Sequence, residues 1–162
     1  MKTLILLFVI TMSLQAQYLT GKKILFYVST TTSSIFSGVT EGMQQREQHM
    51  PISSDEKMRL NKAWHVTQTF ERASWIGTGI SVALDSDFNF WKILSDLSVT
   101  ASIHWMVYDG LENFYRDKPF FWVSDFQREH NTSLTDKYST WQFKVVAVIV
   151  TIGINYLIYV IF

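Results

Sequence analysis

The chain has 162 residues, enough for one domain, with 48% hydrophobic, 15% aromatic and 17% charged residues and a formal net charge of zero. Without a basic excess there is no electrostatic pull toward phosphate backbones, so a nucleic-acid partner is excluded. The absence of cysteine removes disulfides, thiolate nucleophiles and Cys-based metal sites, and leaves His and carboxylates as the only metal donors.

At the start, Lys2, the apolar run Leu4 to Ile10 and then Ser13, Gln15, Ala16 and Gln17 have the layout of a secretory signal peptide over residues 1–16. Cleavage is expected after Ala16. Leu14, where a small residue is preferred, keeps an uncleaved N-terminal anchor as the alternative. Residues 17–162 then form a single helical membrane domain, with apolar segments at about 24–39, 73–84, 93–108 and 145–162.

The segment 24–39 is apolar at both ends and hydroxyl-rich in the middle. Ser and Thr can return their hydroxyls to carbonyls one turn back, which favours a helix packed through small residues over an extended stretch. Residues 41–62 are polar and are expected to be a soluble connector, with a new helix starting near Ser54 and running toward Leu84. Its second half presents Gly77, Gly79, Ser81 and Ala83, a stripe where another backbone can come close. Asp85, Ser86, Asp87 and Asn89 break the pattern, and a further apolar helix to about Tyr108 completes a central hairpin. Residues 117–140, with Pro119 and Phe120-Phe121-Trp122, are expected to lie at a membrane interface.

The last eighteen residues, 145–162, carry no charge, and at about 1.5 Å per residue a helix of this length nearly matches a hydrocarbon core of about 30 Å. Trp141 and Lys144 stand where interfacial anchors belong. The expected fold is therefore all-α, a small helical membrane bundle with a central hairpin and a C-terminal transmembrane helix. A bacterial inner-membrane location follows.

Ionisable groups inside apolar helices are costly, so they are the candidate site. If the hairpin arms are adjacent and antiparallel, His65 comes level with Asp109, and Arg72 approaches Ser102 or His104. The candidate catalytic residues are His65, His104 and Asp109, with Arg72 and Arg116 as candidate ligands for an anion. Interhelical structural bonding is the plainer reading of the same groups. No Walker loop, HExxH, nucleophile elbow or dinucleotide signature occurs, and neither a cofactor nor a metal is expected. Asp85, Asp87, Asn89 and Asp96 echo a calcium-loop frame, but Phe90 stands where that loop wants Gly, so helix capping by Asp87 or Asn89 is the better reading. Asn131-Thr132-Ser133 fits a glycosylation acceptor and is read as a polar loop.

Leu14-Gln15-Ala16-Gln17, Phe36-Ser37-Gly38-Val39-Thr40-Glu41-Gly42 and Trp64-His65 opening a glycine-rich helix together resemble small uncharacterised bacterial or phage-encoded membrane proteins. The resemblance implies a multi-helix protein and carries no catalytic residues. The leading functional expectation is a structural or accessory component of a membrane complex, partnered with the bilayer and with itself or larger subunits. A small membrane-embedded enzyme or transporter acting on an anionic lipid or solute is the alternative.

Overall fold

The computed structural model describes residues 19–122 and 140–162, and the elements in them are all helical. The signal or anchor expected over residues 1–16, the acceptor Asn131-Thr132-Ser133 and most of the expected interfacial loop lie outside the described residues. Four helices follow in order: α1 Gly21–His49, α2 Ser54–Ser86, α3 Phe90–Tyr115 and α4 Trp141–Ile161. Each begins on a side-chain cap. Thr20, Ser53, Asn89 and Thr140 accept hydrogen bonds from backbone N–H groups of the first turn, and Asp55 and Glu56 place negative charge at the positive end of α2.

The polar stretch 41–62 is not a connector. It is the last turns of α1 and the first turns of α2, and only residues 50–53 join them. Polarity does not stop a helix whose own ladder satisfies its backbone, and Gln45 adds a bond to Glu41 one turn back, 2.7 Å away. The hairpin turn falls where the Asp85 to Asn89 punctuation put it, with Asp87 and Phe88 at φ 48° and 59°.

The hairpin arms scarcely touch each other, because α1 packs against both of them and α4 packs on α3. Running α1 against α2 antiparallel and against α3 parallel brings small and hydroxyl side chains together in layers. Ser33 faces Thr78 at 3.1 Å, Thr40 donates to Thr67 at 3.0 Å, Thr30 faces Thr100 at 3.3 Å, and Ser102 faces Thr151 at 2.7 Å. Gly38 and Gly42 are the close-approach points. A Cβ on Gly38 would stand 2.8 Å from Leu111 Cβ and 2.9 Å from the Tyr108 carbonyl, and one on Gly42 would stand 2.7 Å from Tyr115 Cβ. These glycines, four residues apart, make the small-xxx-small contact by which helices approach without a large apolar core.

Inside and outside are inverted relative to a water-soluble bundle. The buried hydrophobic cluster is Phe26, Val82, Val99 and Ile103, whereas Lys23, Thr30, Ser33, Ser34, Asp96 and Asn155 are wholly enclosed. Large apolar side chains cover the surface, among them Ile76, Ile80, Leu97, Ile149 and Leu157. One helix among the described residues, Trp141–Ile161, is long and apolar enough to cross a membrane, with mean hydropathy 2.1 and few buried side chains.

Candidate functional site

The expected cluster is not assembled. His65 is exposed and stacks on Trp64 at 3.7 Å, and Arg72 is exposed two turns further along α2. Asp109 forms an ion pair with Lys144, tying α3 to α4, and Arg116 pairs with Glu112 on its own helix at 3.0 Å. His104 is the one candidate turned into the bundle, with its ring 5.2 Å from Trp75 and 5.1 Å from Tyr108 and its Nδ1 buried without a hydrogen-bond partner. Beside it, Trp75 donates to Ser37, which donates to Glu71. The interposition of α1 explains the difference, because an arm-to-arm register holds only if the arms are neighbours.

The buried ionisable site lies instead where α1 begins and α4 ends. Lys23 is fully enclosed, and its ammonium pairs with Asp85 and with Asp96, the latter at 2.9 Å. It also donates to Asn155 Oδ1 at 3.2 Å and sits 3.4 Å from the centroid of the Tyr159 ring. Asn155 Nδ2 reaches Ser95 Oγ at 2.8 Å and Asp96 Oδ1 at 2.6 Å. The Tyr159 hydroxyl lies 2.7 Å from Asp96 Oδ2 and 3.0 Å from Asp85 Oδ2. Every helix contributes: Lys23 from α1, Asp85 from α2, Ser95 and Asp96 from α3, Asn155 and Tyr159 from α4.

A second ion pair marks the rim of this hub. Lys22 Nζ lies 2.6 Å from Asp87 Oδ1, with both side chains more than half exposed. That hydrogen bond holds the Asp87 carboxyl below its ordinary value, so its contribution is present near neutral pH and is lost as pH falls through the lowered value. Asn89 caps α3 by accepting from Trp91 and Lys92, as the capping reading of this segment expected.

The sequence signal for the hub was available but split. Lys23, Phe26, Thr30, Ser33, Ser37 and Thr40 recur at three- and four-residue steps and form the inner stripe of α1. In the sequence Lys23 stands next to Lys22, and adjacency alone does not tell which of the two turns inward.

At the opposite end, Arg46 bridges Glu56 at 3.1 Å and Asp117 at 2.8 Å. Beyond α3 the chain turns back, and Asn113 Nδ2 holds the carbonyls of Phe120 and Trp122 while the Phe120 ring covers Gly110. The Phe120 ring thus packs on α3, while the Phe121 ring lies 5.7 Å from Trp141 on α4.

The small-residue stripe of α2 divides in two. Ser81 is buried and Ala83 partly so, but an added Cβ at Gly77 or Gly79 would meet nothing within 4 Å. Between α2 and α3 an apolar groove of about 380 Å³ remains open, lined by Trp75, Gly79, Val82, Ala83, Phe88, Ile93 and Leu97 among others. Phe88 is 78% exposed and is held at positive φ, a conformation costly for a bulky residue. Comparison with family models, curated proteins and solved structures finds no match to this chain.

Proposed function

We propose that this chain is a small integral membrane component of the bacterial inner membrane, a four-helix bundle that serves as a structural or accessory subunit by receiving another helix along the open face of α2. One observation carries the reading: the apolar side chains are on the outside. In water, exposing this much apolar surface while enclosing Ser, Thr, Asn, Lys and Asp would forfeit the main driving force of folding. In lipid the exposed chains cost nothing and the enclosed polar groups bond one another.

Within that surface, the α2 face has the features of a helix seat. Gly77 and Gly79 leave backbone accessible, the groove beside them is apolar, and strained Phe88 projects at its end. The occupant is a second copy or a partner's transmembrane helix. Replacing Gly77 and Gly79 by Leu is expected to leave the isolated bundle folded and no less stable, since an added Cβ at either position meets nothing within 4 Å and leucine favours the helix over glycine. The same change should abolish cross-linking of the bundle to itself or to co-purifying membrane proteins. Retained cross-linking would remove the accessory reading.

Orientation follows from grouping the connectors by bundle end. The end with the α1–α2 connector carries Lys57, Arg59, Lys62, Arg116 and Lys118, while the end with the hairpin turn carries Lys22 and Lys92 outside the hub. By the positive-inside rule the first end is cytoplasmic, which puts the end of α4 outside. A C-terminal alkaline phosphatase fusion is then expected to be active and a C-terminal green fluorescent protein fusion dark. The reverse pattern would invert the topology.

A further inference from the structure

With every carboxyl ionised, two buried carboxylates share one phenol hydrogen. The Tyr159 hydroxyl carries one proton, yet its oxygen stands within hydrogen-bond distance of both Asp85 Oδ2 and Asp96 Oδ2. It donates a full bond to one of them, and a full bond to the other then requires a hydrogen on that carboxyl. The charge count agrees. Among the described residues two buried carboxylates face a single ammonium, Lys23, and the next charges, Lys92 at 5.0 Å from the Tyr159 ring and the exposed Lys22–Asp87 pair, stand at the rim. Asn155 and Ser95 add hydrogen bonds and bring no charge. Like charges this close, away from water, are stabilised by sharing a proton.

We infer that the Asp85–Asp96 pair is a proton-binding site, with one exchangeable proton held across the Tyr159 hydroxyl. The proton comes from bulk water. An O–H bond forms on one carboxylate oxygen, the phenol donates to the other carboxylate, and the buried shell passes from one net negative charge to neutral. Because the site draws on all four described helices, its occupancy bears on the seating of α4. The site is separate from the Gly77–Gly79 face and does not depend on what that face binds.

The test is an infrared titration of the full chain in lipid nanodiscs, following the carbonyl stretch of protonated carboxylic acid in water and in deuterium oxide. The expected result is a titrating band that shifts on deuteration and is lost in both Asp85→Asn and Asp96→Asn. Tyr159→Phe keeps the ring packing and removes only the shared hydroxyl, and it should move the band, which covers the case in which an Asn variant fails to fold. A spectrum with no titrating carboxyl, a band that survives in both folded Asn variants, or a band unmoved by Tyr159→Phe would overturn the inference.

Discussion

Replacing Lys23 by Met is expected to destabilise the bundle by about 3–5 kcal/mol, the cost of stranding a buried carboxylate when its partner is deleted. Two carboxyl groups, Asp85 and Asp96, depend on the same ammonium. Total stabilities are commonly 5–15 kcal/mol, so such a loss would remove a large share of the margin. The Lys23→Met/Asp96→Asn double variant should recover much of that loss, because an amide leaves less uncompensated charge and can still bond Asn155 and Tyr159. Denaturant titration in detergent micelles checks both. A single variant that unfolds with the wild type would show that the ion pairs contribute nothing to the fold.

Gly38→Leu is the second large effect, and its cause is steric. A single added methyl group already falls 2.9 Å from the carbonyl oxygen and 3.0 Å from the Cα of Tyr108, so α3 as a whole has to move. Overpacking costs about 1–3 kcal/mol for small additions, and a leucine exceeds the upper end here because backbone is what it meets. Gly110→Ala provides the contrast. The overlap there is deeper on paper, 2.1 Å, but the obstacle is the ring of Phe120, a partly exposed side chain that can swing aside. Thermal unfolding should therefore rank Gly38→Leu well below Gly110→Ala in stability. Equal losses would mean that the α1–α3 approach is not the tight contact of the bundle.

Much of the element order was legible because it rests on local signals. Ser53 before Asp55 and Glu56 marks the start of α2, the Asp85 to Asn89 punctuation marks the hairpin turn, and an uncharged apolar run marks α4. Which helices are neighbours was not legible. Adjacency of the two arms is the default for a hairpin, and nothing in residues 54–115 announces that α1 will lie against both. That one fact separates His65 from Asp109, sends Asp109 to Lys144, and moves the charged centre to Lys23. Helix ends misled for a related reason: the polar residues 41–49 and 54–62 change the surroundings of a helix without ending it. The glycines of α2 were visible as a packing stripe, while Gly38 and Gly42, which do bring backbones together, stood out only as part of a resemblance.

The absence of cysteine from the chain allows the central claim, a bundle with its apolar surface in lipid or against a partner, to be tested with single introduced thiols. In inside-out inner-membrane vesicles, which present the cytoplasmic end to the reagent, a water-soluble maleimide is expected to label Met58→Cys readily and to leave Ile76→Cys, Ile80→Cys and Leu84→Cys unlabelled, although all four positions are surface positions of the isolated bundle. Labelling of the three α2 positions at the rate seen for position 58 would place that face in water and contradict the claim.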